Sequence, residues 1–198
     1  MGNQPENMFY PADAHVPERL ATEEFLVRPL CATDVELDYD AVVSSRAELW
    51  LRSGGTWPRE GFTLEENLAD LEKHEQEHRD RIAFTFTVMN LAETECLGCI
   101  YINPLARMLE RAGGSAEQIA GAGDNAAWVT FWVRQNRLAD DLDVRLLNAI
   151  INWFKTEWAF TRIVFAARKA QERQIRLFAE ASLQLVYTLP NSLVYEMA

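Results

Sequence analysis

From residue 24 onward the hydrophobic positions switch between two periods. EFLVRPL, Glu24 to Leu30, alternates apolar and polar side chains as a half-buried strand does. TDVELDYDAVVSSRAELW follows with helical spacing. Thr33 stands where an N-cap would, Glu36 lies three residues on, and Gly54-Gly55 close the segment. TLEENLADLEKHEQEHRDR repeats the signal, with Thr63 and Glu66 at capping-box spacing and Leu64, Leu68 and Leu71 on one face. IAFTFTVMN and ECLGCIYIN are rich in β-formers and flank the polar LAET, which predicts a hairpin. PLARMLERAGGSAEQIAGAGDN, with glycines around a short helical piece, reads as an insertion between strands over about 104–125. AAWVTFWVRQ is the next strand. LADDLDVRLLNAIINWFKTEW is a long helix with Leu142, Leu146, Ile150 and Trp153 or Phe154 on its inner side. RIVFAAR predicts a strand, AQERQIRLFAEA a helix, and LQLVYTLPNSLVYEM two strands around Pro190-Asn191. The resulting order, β-α-α-β-β-β-α-β-α-β-β, describes one α/β domain over 23–198, a mixed and mostly antiparallel sheet flanked by helices. Residues 1–22, polar and holding Pro5, Pro11 and Pro17, form an extended N-terminal arm in this reading.

Charge and composition narrow the function classes. The chain has 198 residues, 30 acidic against 19 basic side chains and a net charge of −11, which repels nucleic acid and anionic membrane. The longest apolar run, AAWVTFWV, is far shorter than the roughly 20 residues that cross a bilayer. The first residues carry no apolar core of a secretion signal, and Glu6 occupies the place a myristoylation signal gives to Ser or Thr, so a cytoplasmic location is expected. Three cysteines form no disulfide framework. Cys96 and Cys99 spell C-x-x-C inside a β-like segment, where residues three apart are expected on opposite faces; that makes them structural thiols rather than a redox or zinc pair.

The layout resembles that of the GNAT superfamily, the GCN5-related N-acetyltransferases, over residues 24 to 197. FLVRPL matches its first strand, LGCIYINP its third, and WVTFWVRQ…LLNAIINWF its fourth strand and central helix. Segments such as DYDAVVSSR, TWP…TLEENLADLEKH and EWAF are similar to a bacterial branch. The resemblance implies direct acetyl transfer from acetyl-CoA to an amino group of a small molecule or peptide. It implies a partner of that kind, a homodimer as a further allowance, and no metal. In this superfamily an R/Q-x-x-G-x-G/A loop opens the central helix, and its main-chain N–H groups hold the pyrophosphate at the positive end of the helix dipole. Here Leu138 falls at the R/Q position, Asp141 at the first glycine and Asp143 at the second. Asp140, Asp141 and Asp143 suit the first turn of a helix, yet carboxylates there repel a diphosphate and compete for its donors. Arg134, Arg137 and Arg145 surround the same junction and would either contact phosphate or pair with the aspartates. The resemblance assigns cofactor binding to Phe131, Trp132, Val133, Arg134, Arg137 and Leu138, with main-chain N–H groups of Phe131 to Val133 polarising the acetyl carbonyl.

The catalytic residues are not set by sequence. The tyrosine that serves the superfamily as general acid corresponds to Phe178, which has no proton to give, and Gln171, Gln174 and Leu177 fill the rest of that pattern. Glu48, Glu60 and Glu95 are carboxylates of no special local context, while Trp57 and Trp132 either line a groove or fill the core. A GNAT-fold protein without a working donor site, serving in binding or assembly, is the alternative that the replaced glycines and Phe178 allow. HEQEH, His74 to His78, satisfies the H-E-x-x-H zinc pattern, but a charged helix whose histidines continue the leucine stripe accounts for it. GAGDNA, Gly121 to Ala126, imitates a dinucleotide fingerprint in reverse order, preceding a strand instead of following one, and reads as a loop.

Overall fold

The computed structural model describes residues 9–197. Eight strands form one sheet in the order β1-β2-β3-β4-β5-β6-β8-β7. They are β1 (Leu20–Ala21), β2 (Phe25–Pro29), β3 (Phe84–Asn90), β4 (Cys96–Pro104), β5 (Ala126–Val133), β6 (Arg162–Arg168), β7 (Gln184–Thr188) and β8 (Ser192–Glu196). Every neighbouring pair is antiparallel except β5 with β6. The helices are α1 (Val35–Ser44), α2 (Arg46–Ser53), α3 (Leu64–Arg79), α4 (Leu105–Arg111), α5 (Ala116–Ala120), α6 (Leu142–Glu157) and α7 (Glu172–Glu180). None is long and apolar enough to cross a membrane.

The alternation of strand residues decides which helices cover which face. Ala127, Val129, Phe131 and Val133 of β5 join Leu142, Leu146, Ile150, Trp153 and Phe154 of α6 in the main core. Trp132 turns the other way, into a second core with Leu49, Leu71, Cys96 and Cys99 under α1, α2 and α3. Trp128, on the same face as Trp132, packs with Leu105 and Leu109 of α4 in a third core. The segment expected as an insertion thus supplies two short helices, α4 and α5, that cover one end of the sheet.

Of the two expected helix starts, one is as expected and one is not. Thr63 caps α3 as predicted, its side chain accepting from Glu66 N while the Glu66 carboxylate accepts from Thr63 N. Thr33 caps nothing: it lies inside a 3₁₀ turn, Ala32–Asp34, and α1 starts only at Val35. The single helix expected from there to Gly54 breaks at Ser45, fully buried, whose hydroxyl receives the Gln135 amide at 3.1 Å. A tertiary hydrogen bond takes priority there over helical continuity.

The arm is fastened down. The Tyr10 hydroxyl donates to His15 O and accepts from Ala159 N, and its ring meets Phe84, Trp158 and Phe160. This closes an aromatic cluster at the C-terminal end of α6. Residues 1–8 of the expected arm lie outside the described residues.

The C-x-x-C expectation is corrected. β3 and β4 change register between Val88 and Met89, so that Gly98 faces Val88 and Cys96 faces Met89, with Leu97 as the extra residue. A bulge shifts the alternation by one. Both thiols therefore reach one side, and Asp38, Cys96 and Cys99 place their ligand-type atoms within 4.8 Å of one another in the buried second core. The contact with Cys96, then burial and the Asp38 charge, push the Cys99 thiol well above its usual range.

Candidate functional site

β5 and β6 pair only from Ala126↔Arg162 to Val129↔Phe165, and beyond that point the two parallel strands part. On its other side β5 stays paired with β4 as far as Val133, and Arg134 N donates to Leu97 O at 2.7 Å. In an antiparallel ladder main-chain groups alternate between the two edges. Arg134, Trp132 and Thr130 therefore address β4, which leaves the N–H and C=O of Phe131 and Val133 directed into the gap. A cleft of about 300 Å³ opens at this edge, with Phe131 in its lining. Thr130, Phe131, Ala167 and Arg168 line its strands, and Gln171 and Gln174 reach it from α7.

Behind the open edge stands the start of α6. A 3₁₀ turn, Gln135–Asp140, leads into it, and Asp141 adopts the left-handed conformation, φ 54°, as the residue before the helix, with no side-chain cap. Only Asp143 of the three aspartates falls in the first helical turn, which corrects the expectation that all three lie there. A positive φ is a conformation that suits glycine, so Asp141 holds it at a conformational cost.

The arginines do not follow the expected pairing. Arg173 of α7 neutralises the aspartates: its guanidinium holds buried Asp143 through two bonds of 2.6 and 2.8 Å and reaches Asp141 at 2.8 Å. These carboxylates, Asp143 first, raise the Arg173 pKa. Arg134 is buried, with its guanidinium given to Cys96 O at 2.5 Å, Ser44 Oγ at 3.1 Å and Asp40 at 2.6 Å, so it ties α1 to the bulge. Arg137 pairs with Glu95 at 2.7 Å while its Nε has no partner. Arg145 pairs with Glu24. Leu138 packs against the main core, Phe131 and Val133 lie within it, and Trp132 donates to the Tyr101 hydroxyl at 3.4 Å. Phe178 is fully buried against Phe131, Phe165 and Tyr195.

On the face of α1 to α3, Trp57 and Trp132 line a further cavity of about 220 Å³ with Arg52, Tyr101 and Thr130. Glu48, on α2, is half-buried. Burial raises its carboxyl pKa, and the charges of Asp143, Arg173 and Arg52 act on it. Glu60 is exposed. The HEQEH histidines face the sheet: Thr85 meets His74 Nδ1 with its hydroxyl at 3.3 Å and His78 Nδ1 with its carbonyl at 3.2 Å. Among the described residues, Asp38, Cys96 and Cys99 form the one metal-type cluster, and neither histidine belongs to it.

A β-strand parting from its parallel neighbour beside the start of the central helix, in this strand order, decides the architecture. The chain has the GNAT fold. Solved structures agree over nearly its whole length. One is a ribosomal-protein-S5-alanine acetyltransferase from Vibrio fischeri, 17% identical, with a TM-score of 0.66, covering 91% of this chain and 95% of that one. Another is RimL, a ribosomal L7/L12 alpha-N-protein acetyltransferase in complex with coenzyme A, 14% identical, TM-score 0.68, covering 90% and 96%. A third is the microcin C7 self-immunity acetyltransferase MccE in complex with acetyl-CoA and AMP, 11% identical, TM-score 0.68, covering 89% and 93%. No family model matches the chain. No curated protein matches it either. Within this GNAT fold, sequence reasoning located the strand and helix of the cleft but missed Arg52, Arg168 and Arg173, which carry no local motif.

Proposed function

We propose that the protein is an acetyl-CoA-dependent N-acetyltransferase acting on an amino group of a small molecule or peptide. The observation that carries this reading is the parting of β5 from β6 after Val129, which leaves the main-chain groups of Phe131 and Val133 on the open edge of β5. RimL with coenzyme A and MccE with acetyl-CoA support it as relatives in fold. The residues present suit such a donor. At the start of α6 the Val144 and Arg145 amides go to Asp141 O, which leaves those of Leu142 and Asp143 for an anion, and Arg173 offsets the carboxylates that would repel a diphosphate. Arg137, whose side chain is partly exposed beside Glu95, is the cation we assign to the phosphates, alongside the 3₁₀ turn through Leu138. The side chain of Arg134 instead holds the bulge, leaving its place in the main chain as its contribution.

In the reaction the amine nitrogen bonds to the thioester carbonyl carbon, the C–S bond breaks, and the sulfur leaves as a thiolate that takes up a proton. The Phe131 and Val133 N–H groups are fixed donors for the oxygen on which charge develops. The cleft lining holds no aspartate or glutamate, so the amine gives up its proton to water. Phe178 has no proton to give, so the thiolate takes its proton from water. Titration calorimetry with acetyl-CoA tests the reading: one saturable site is expected, with affinity lowered several-fold in Arg137→Ala. No binding at millimolar acetyl-CoA would make the chain a binding or assembly module on a GNAT scaffold instead.

A further inference from the structure

The cleft is lined by three arginines, Arg52, Arg111 and Arg168, and by no aspartate or glutamate, in a chain with net charge −11. Among the described residues none of the three has a carboxylate partner. Arg52 donates to the Thr130 hydroxyl at 2.8 Å and lies over the Tyr101 ring, 5.1 Å from its centroid; burial lowers its pKa. Arg168 is held by one bond, Nε to Arg52 O at 2.9 Å, the carbonyl near the C-terminal end of α2. Gly54 makes room for it, since a Cβ there would stand 2.5 Å from Arg168 Nη1. Gln174 of the same lining has a buried Nε2 without an acceptor. A cation withdrawn from water without a counter-charge is unfavourable unless something else supplies one. Arg52, Arg168 and Gln174 are thus donors short of acceptors, and Arg111 adds an exposed cation to the same lining.

The position of this set separates it from the donor's phosphates. Arg52 bonds Thr130, and Arg111 projects from α4, both on the face of Trp128 and Trp132, whereas the start of α6 lies on the opposite face with Phe131 and Val133. A diphosphate at α6 is thus on the far side of the sheet from Arg111. We infer that the arginine-lined cleft is an acceptor subsite for an oxyanion, so that the substrate is an amine whose own chain bears a carboxylate or phosphate group. This rests on the acetyltransferase reading. The arginines would bind that group through paired N–H donors and hold the amine at the open edge of β5.

The test compares matched acceptors by thiol release from acetyl-CoA: the tripeptide amides Ser-Glu-Ala and Ser-Gln-Ala, and phosphoethanolamine against ethanolamine. An advantage in kcat/KM of about tenfold or more for one charged member is expected, the scale of one or two charge-assisted hydrogen bonds. Which pair shows it identifies carboxylate or phosphate as the group. Arg111→Gln, at an exposed position, and Arg52→Gln should each shrink that advantage while leaving the KM for acetyl-CoA unchanged. Equal kcat/KM within both pairs would overturn the inference. So would an advantage that survives intact in a folded Arg52→Gln/Arg111→Gln double variant. If no amine is acetylated, the enzyme reading fails separately, and calorimetry decides the subsite: binding of Ser-Glu-Ala but not Ser-Gln-Ala, lost in Arg111→Gln, upholds it, and equal heats reject it.

Discussion

At the scale of single residues, Asp141 concentrates the tension between sequence and chemistry. It holds a left-handed backbone conformation at φ 54° that L-residues adopt at a penalty of roughly 1–2 kcal/mol, less for aspartate. Its carboxylate also stands at the start of α6, where we place the donor's phosphates. Asp141→Gly should leave stability within about 1 kcal/mol, because relief of the backbone conformation offsets glycine's larger unfolded-state entropy. The ion pair between Asp141 and Arg173 is solvent-exposed, and removing it costs little. With one like charge removed, acetyl-CoA should bind more tightly by calorimetry; weaker binding would mean that the diphosphate does not sit at this turn. The sequence showed the aspartates and the arginines of this junction but not how they combine. Arg134 and Arg173 lie 39 residues apart in number, and nothing local says that the distant one neutralises Asp143 while the near one holds a bulge.

At the scale of elements, the bulge in β4 controls what β5 presents. Leu97 O takes the Arg134 amide, Cys96 O takes the Arg134 guanidinium, and Gly98 lies so close to β5 that an added Cβ would meet Trp132 O at 2.0 Å. No side-chain motion relieves a clash with main chain. Gly98→Ala should therefore cost on the order of 2–4 kcal/mol in urea unfolding and disturb the open edge at Phe131 and Val133. Near-wild-type stability would show that the strands can separate there without loss. The helices were legible because their apolar stripes and caps are local: Leu142 to Phe154 lie on the inner face of α6 as the period requires. The bulge was not legible, since alternation in ECLGCIYIN carries no mark of an extra residue, and the two cysteines were therefore set on opposite faces.

At the scale of the whole molecule, acidity has a structural as well as a functional reading. His74 and His78, turned from α3 onto β3, are both shifted below the usual imidazole value of 6.5, chiefly by burial. The folded state thus favours their neutral forms, and the unfolded state binds more protons as pH falls. Their contribution to stability is present above about pH 6.5 and is lost on acidification below it. Melting temperature measured from pH 7.5 to 5 should fall, and a His78→Gln variant should lose part of that dependence. An unchanged slope would assign it to the carboxylates. The excess negative charge lies outside the cleft, whose lining holds arginines alone among charged residues. Positive charge gathered in one cleft of an acidic protein would steer the anionic acceptor we infer to one place.

The sequence by itself determined the order of seven of the eight strands and of α3, α6 and α7, the α/β class and the inner face of α6. Each rests on short-range periodicity and capping, which a linear pattern carries in full. Tertiary structure alone decided that β5 and β6 part after Val129, that Asp143 belongs to Arg173, and that Arg52, Arg111 and Arg168 share one cleft. Those relations join residues from α2, α4, β6, α6 and α7 across the fold, and electrostatic partnership depends on distance in space, to which spacing along the chain gives no access.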